Sequence, residues 1–178
     1  MITMRRPFIL LAAVSGLSGS AVSAQSNQPV SALRGHDSNA PVDIDAARIE
    51  VQERADRAIF VGDVHVRQAD LTLDTERLTV AYSSQGGIEI QRLDASGGVV
   101  VKSPSETARG NFGIYDLNRK LITLIGDVQL SRSGSQVNGS RLVIDLTTGR
   151  AVIDGGGPGI GNSGGRVTGH FTVPKRGR

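Results

Sequence analysis

The sequence predicts an all-β protein, an antiparallel sheet assembled from repeated strand units. Three observations carry this. A short phrase recurs along the chain, its residues alternate apolar and polar with period two, and no stretch beyond the N-terminal segment shows a helical period. The phrase reads Ile59-Phe60-Val61-Gly62-Asp63-Val64-His65-Val66, and returns as Thr123-Leu124-Ile125-Gly126-Asp127-Val128-Gln129-Leu130. A looser copy is Asp94-Ala95-Ser96-Gly97-Gly98-Val99-Val100-Val101, and a fourth begins at Ala151-Val152-Ile153-Asp154-Gly155 before dissolving into glycine. Glycines 62, 97, 126 and 155 stand 35, 29 and 29 residues apart, a spacing that marks repeated supersecondary units.

The unit is larger than the phrase. Asp116 stands ten residues before Gly126, and Asp145 ten before Gly155. Each unit therefore reads as strand, polar turn, strand, glycine, strand, with extra residues before Gly97 placed around Ser83-Ser84-Gln85-Gly86-Gly87. In the first copy Phe60, Gly62, Val64 and Val66 share one face, and Asp63, His65 and Arg67 the other. In the third, Leu124, Gly126, Val128 and Leu130 oppose Thr123, Asp127, Gln129 and Ser131, with Val61 and Ile125 as apolar exceptions on the polar faces. One buried and one wet face is the pattern of an antiparallel sheet. A glycine on the apolar face of each unit predicts a bend or bulge at the same height in each.

In chain order, residues 1–24 read as a cleaved secretory signal peptide. Arg5 and Arg6 precede an apolar run from Phe8 to Val14, and Ala21-Val22-Ser23-Ala24 offers a small-residue cleavage site before Gln25. The apolar run is short of the roughly 20 residues that a membrane span needs. Residues 25–41 are polar, with Pro29, Gly35 and Pro41, and read as a disordered leader. The β domain spans 42–156, punctuated by turn signals such as Asn118-Arg119 and Ser133-Gly134. Residues 157–178 read as a glycine-rich linker, one loose strand over 166–173, and the basic tail Lys175-Arg176-Gly177-Arg178.

Composition narrows the function. The high isoelectric point of about 9.8 argues little for nucleic acid. Without residues 1–24 the chain carries 18 basic and 17 acidic residues, and two Tyr and four Phe form no basic-aromatic stripe. With no Cys, disulfides, thiol catalysis and Cys-based metal sites are excluded, as is a lipid anchor on Cys. Gly161-Asn162-Ser163-Gly164-Gly165 fits a nucleophile-elbow pattern, and residues 159–164 fit a dinucleotide fingerprint. Neither has the strand-before, helix-after context that gives these motifs their chemistry. His36, His65 and His170 are isolated, and Asp63 and Asp127 sit beside glycine in the register of a structural repeat. The sequence thus predicts neither an acid–base pair nor a metal site, and no enzyme or cofactor.

The Gly62-Asp63-Val64 and Gly126-Asp127-Val128 phrases, the Tyr115-Asp116 and Ile144-Asp145 pairs and the signal peptide together resemble the OstA-like family of lipopolysaccharide transport proteins, closest to its soluble periplasmic LptA-like branch. The resemblance covers residues 42–156 and is strongest over 58–66 and 110–155. It implies a twisted, half-open β jelly roll in the periplasm that holds lipopolysaccharide by its acyl chains in an apolar groove. It further implies head-to-tail stacking of copies into a bridge between an LptC-like inner-membrane partner and an LptD-like outer-membrane partner. The implied lipid-binding residues are the inward-facing Phe60, Val64, Val66, Leu78, Val80, Val99, Leu124, Val128, Leu130 and Leu142. The glycine-rich end from Gly155 and the basic tail depart from the family's pattern.

The physics is consistent with such a role. Each CH₂ taken from water is worth about 0.8 kcal/mol, so a long acyl chain exposed to water costs on the order of 10 kcal/mol. A repeating sheet with one apolar face supplies a continuous trough. Periodicity does not separate a lipid groove from an ordinary filled core. Two alternatives therefore stand: an LptC-like anchored protein of the same fold, and a structural β-repeat protein that binds no lipid.

Overall fold

The structure, a computed structural model, describes Leu33, residues 36–156 and residues 165–172. The expected signal peptide, the glycine motif at 159–164, the elbow-like motif at 161–165 except its last glycine, and the basic tail lie outside the described residues. Among the described residues ten strands follow one another: β1 (Val42–Asp45), β2 (Arg48–Gln52), β3 (Arg57–Gln68), β4 (Leu71–Ser83), β5 (Glu89–Lys102), β6 (Glu106–Asp116), β7 (Leu121–Arg132), β8 (Ser135–Asp145), β9 (Arg150–Asp154) and β10 (Thr168–His170). β3 to β8 form an antiparallel meander in which each strand pairs with its neighbour in sequence. Each edge is finished by two short strands in line. β1 and β2 share β3, and β9 and β10 share β8.

The repeated aspartates make the hairpin turns. Asp116 Oδ1 accepts the Arg119 amide at 2.9 Å, and Asp145 Oδ1 accepts those of Thr147 and Thr148 at 2.8 and 3.1 Å. These are side-chain turns that Asp favours because its carboxylate reaches the backbone just ahead. They hold Asp145 below the usual carboxylate range, through the bonds from Thr148 and Thr147.

The recurring glycine phrase lies on a row of β-bulges. The ladder slips between Val61 and Val64 on β3, between Ser96 and Val99 on β5, and between Ile125 and Val128 on β7. At each slip two successive residues are left-handed: Gly62 and Asp63 at φ +85° and +45°, Gly97 and Gly98 at +90° and +86°, Gly126 and Asp127 at +81° and +46°. Glycine enters this region freely and Asp more readily than most residues, which is why the phrase is Gly-Asp or Gly-Gly. A β-carbon on Gly126 would fall 2.8 Å from Nδ2 of the exposed Asn111. The glycine is therefore needed for its backbone and for the room beside Asn111, rather than for a missing side chain on the apolar face. The fourth copy differs: β9 stops at Asp154, and the edge resumes with β10 at Thr168.

The bulge row divides the sheet into two halves. The β1 half contains β1, residues 64–68, 71–75, 99–102, 106–110, 128–132 and 135–139, and β10. The β2 half contains β2, residues 57–61, 77–83, 89–96, 112–116, 121–125 and 141–145, and β9. The sheet folds along this row. Tyr115 on β6 donates its hydroxyl to Gln68 Oε1 on β3 at 2.9 Å, although three strand spacings separate β3 from β6. In a flat sheet that separation would be about 14 Å. One sheet thus serves as both layers of a half-open β jelly roll, with its core between the halves.

The alternation expected for the glycine strands holds through the bulge, but the partner strands switch phase there. On β4 the inward residues are Leu71, Leu73 and Thr75 before the row, and Leu78 and Val80 after it. β6 makes the same switch from Ala108 and Gly110 to Gly113 and Tyr115, and β8 from Gly139 to Leu142 and Ile144. At the fold line a β-carbon on Gly113 would stand 3.0 Å from Val99 and 3.1 Å from Leu124, which lie on opposite sides of the row. A bare backbone there lets the halves close.

The polar segment read as a leader reaches into this fold at its C-terminal end. Leu33 is 4% exposed and belongs to the core cluster. The Gln68 amide, itself 3% exposed, donates to the carbonyls of Ser38 and Ala40 at 3.1 and 3.0 Å. The domain therefore begins before the expected boundary at residue 42.

Candidate functional site

The candidate site is the interior between the two half-sheets. Each long strand delivers alternate apolar side chains to it, and the bulge row turns the two sets to face one another. From the β1 half come Val64, Val66, Leu71, Leu73, Val99, Val101, Val128 and Leu130, and from the β2 half Leu78, Val80, Leu93, Ile122, Leu124, Leu142 and Ile144. Nine of the ten residues expected to line a groove (Val64, Val66, Leu78, Val80, Val99, Leu124, Val128, Leu130 and Leu142) are buried here, at 0–4% exposure. The tenth, Phe60, is half-buried and packs against the same cluster. Leu71, Leu73, Leu93, Val101, Ile122, Ile144 and Tyr115 belong to the interior as well, although sequence reasoning did not single them out.

The centre of the interior is filled. A narrow apolar pocket between Val66, Leu73, Val101, Leu93, Ile122 and Leu124 leaves about 10 Å³ free, roughly the least space that a single water needs. The interior opens at the β2 edge. Ile49 pairs with Phe60 and Val51 with Ala58, so both share the inward face. Each is nonetheless 55% exposed. Ile49, Val51 and Phe60 thus form an uncovered apolar lip continuous with the buried cluster.

A polar cluster closes another margin. Gln68 Oε1 accepts from the Tyr115 hydroxyl and lies 3.1 Å from His36 Nε2, while His36 Nδ1 lies 3.0 Å from Asp70 Oδ1. Burial pushes the Tyr115 hydroxyl above the usual tyrosine range, and a hydrogen bond with Ser38 opposes this.

The outer face carries charge. His65 is exposed, with Nδ1 2.8 Å from Asp74 Oδ1, and Lys102 Nζ donates to Asp74 Oδ2 at 2.7 Å. Partial burial pushes Asp74 up, but the bonds and charges of Lys102 and His65 outweigh it and hold the carboxyl below its usual range. Asp63 and Asp127 occupy left-handed bulge positions, and Asn111 Nδ2 donates to Asp127 Oδ2 at 3.2 Å. Among the described residues no group of His, Asp and Glu is arranged to hold a metal ion. No helix among them is long and apolar enough to cross a membrane.

A single sheet folded around an apolar interior, with an apolar lip at one edge, defines the class of half-open β jelly rolls. The family model described as the LptA/(LptD N-terminal domain) LPS transport protein matches residues 43–150, and the chain belongs to that family. It is a family of transport proteins. An uncharacterized protein of Rhizobium meliloti is 32% identical over 121 residues, an alignment that spans 64% of this chain and 65% of that protein, just under two thirds of its length. Among solved structures the fold is similar to that of LptH from Pseudomonas aeruginosa, described as the LptA homologous periplasmic component of the lipopolysaccharide transport device. The TM-score is 0.68 at 17% identity, covering 78% of this chain and 99% of the other.

Proposed function

We propose that the chain is a periplasmic lipopolysaccharide-binding protein that shields acyl chains between its half-sheets while the lipid crosses an aqueous compartment. The observation that carries this reading is the lip made by exposed Ile49 and Val51 beside half-buried Phe60, continuous with an apolar cluster that runs through the fold. An ordinary core closes over its edge, because exposed apolar surface costs about 25 cal/mol per Å². The filled centre implies that an acyl chain enters from the lip and parts the half-sheets along the bulge row.

Among the described residues no further strand pairs with the outer sides of β2 and β9, which suits them to strand addition, the contact by which copies would stack head to tail and reach LptC-like and LptD-like partners at the two membranes. The signal-like segment before Gln25 supports export, and Gln25 is the expected mature N-terminus. The filled centre also favours a second reading, in which the chain is a structural β-repeat protein that binds no lipid.

The test is mass spectrometry of lipid co-purifying with protein isolated from its periplasm under non-denaturing conditions. Lipopolysaccharide at a defined ratio to protein is expected. Folded protein that carries none, and takes none up when supplied with it, would leave the structural reading.

A further inference from the structure

We infer that the outer face of the β2 half is an interface for a second copy of this chain, packed back to back about a two-fold axis that runs along the strands between β6 and β7. This contact uses neither the interior nor the strand edges. It is therefore independent of the lipid-binding reading and distinct from head-to-tail stacking.

Three observations carry it. First, the outer face is apolar in one half only. Val61, Phe112, Ile125 and Val152 point outward from the β2 half and are 37%, 55%, 37% and 38% exposed. On the β1 half the row nearest the fold line reads His65, Asp74, Val100, Arg109, Gln129 and Asn138, and its one apolar member is half-buried. The same long strands build both halves, so strand formation does not account for the difference. A cluster of exposed apolar side chains rimmed by charge marks a contact surface.

Second, the face is complementary to itself. From β4 to β9 the register runs Arg77, Ser96, Phe112, Ile125, Arg141 and Asp154. An axis between β6 and β7 sets β6 of one copy against β7 of the other, and β4 against β9. Phe112 then meets Ile125 at the centre, and Arg77 meets Asp154 of the second copy at each rim. Arg77 and Asp154 are both exposed, and among the described residues neither forms a salt bridge within its own copy. In the row farthest from the fold line the same axis sets Arg92 against Asp145. Moving the axis by one strand destroys the match: it sets Arg77 against Ile125 on one side, or Asp154 against Phe112 on the other. One placement of the axis thus satisfies both the apolar centre and the charged rim, as an isologous contact requires.

Third, the geometry is that of stacked sheets. Two sheets pack face to face about 10 Å apart with strands within about 30° of each other. That rotation displaces the rows toward the rim, where the long arginine side chain spans the offset. The face extends over five strand spacings, about 24 Å, and three outward rows, about 14 Å. It offers roughly 300–400 Å² in each copy, less than the roughly 800 Å² of a standard interface. The dimer is therefore weak and forms at high local concentration.

The test is sedimentation equilibrium of the full chain over a concentration series up to about 1 mM, the range in which so small an interface associates. The parent is expected to show a monomer–dimer equilibrium. Arg77→Asp and Asp154→Arg are each expected to weaken it at least about tenfold, because each brings like charges together twice. An equimolar mixture of the two variants is expected to regain the parent's association, since an unlike pair of copies restores both rim contacts. Both residues are exposed, so each variant keeps the parent's melting temperature. In a chain with no Cys of its own, a short bismaleimide should join two Phe112→Cys copies and leave His65→Cys copies unjoined. A parent that stays monomeric, variants that associate as strongly as the parent, or a mixture no stronger than its components would overturn the interface. So would equal joining at Phe112→Cys and His65→Cys, or association that runs past the dimer and ignores both charge reversals, which belongs to the strand edges.

Discussion

Replacing Gly126 with valine isolates the physics of the bulge row. Gly126 has φ +81°, a conformation that costs a non-glycine residue roughly 1–2 kcal/mol and a β-branched one more. Its β-carbon would also fall 2.8 Å from Asn111 Nδ2 and 3.1 Å from Asn111 Cβ. Asn111 must then move, and its hydrogen bond to Asp127 is lost, at about 1 kcal/mol more. The sum is about 2–4 kcal/mol, or a fall of about 4–16 °C in melting temperature for a chain of this size. Gly98 is the internal control. Its φ is +86°, but a β-carbon there meets nothing within 4 Å. Gly98→Val should therefore carry the backbone cost alone, about 1–2 kcal/mol. Gly159→Val, in the glycine-rich stretch that the sequence marks as a linker, should be close to neutral. Thermal unfolding of the three variants by circular dichroism gives the ranking. Equal melting temperatures for Gly126→Val and Gly98→Val would refute the steric part of the argument. Equality of Gly126→Val with Gly159→Val would refute the bulge role altogether.

Other outcomes follow from the same geometry. Val128 is 1% exposed in the interior, so Val128→Asp buries an unpaired carboxyl and is expected to cost at least about 3 kcal/mol, while the outward Gln129→Asp stays within about 0.5 kcal/mol; urea denaturation measures both. Asp74 is held below its usual range, so its ion pairs stabilise the fold above the unfolded carboxyl pKa of about 3.9 and are lost as pH falls through the lower folded value. The stability advantage of the parent over Asp74→Asn is therefore expected to be at most about 1 kcal/mol at pH 7 and to vanish on acidification below pH 4; a difference that grows with acid would contradict the assignment.

The fold was legible because the signal repeats. Alternation about Gly62 and Gly126 gave the strands their faces, and the aspartates at 116 and 145 gave the turns. The phase switch on β4, β6 and β8 was harder to see. In Leu71-Thr72-Leu73-Asp74-Thr75-Glu76-Arg77-Leu78 the inward set passes from odd to even across Glu76-Arg77, which a reading by simple alternation takes for a break in the strand. A reading by simple alternation therefore finds Leu78 and misses Leu71 and Leu73. The hydrogen bond from Tyr115 on β6 to Gln68 on β3 across the fold line is a long-range contact, and no local pattern records it. Leu33 had no signal at all, because a lone leucine in a polar run owes its burial to the space between the halves. The lip at Ile49 and Val51 reads in sequence like any strand, and only the structure distinguishes covered apolar residues from uncovered ones.

On the function proposed above, acyl chains enter the inward face from the lip. A photo-crosslinking amino acid placed singly at Ile49, Val51 or Phe60, and at the outward Glu50, Asp63, His65 or Gln129, tests it directly, because neighbouring residues of a strand face opposite sides. The lip tolerates a bulky probe where the filled centre would not. Capture of lipopolysaccharide at the three inward positions and at none of the outward ones is the predicted result. Equal capture on the two faces, or none at Ile49, Val51 and Phe60 in folded protein supplied with lipid, would contradict it.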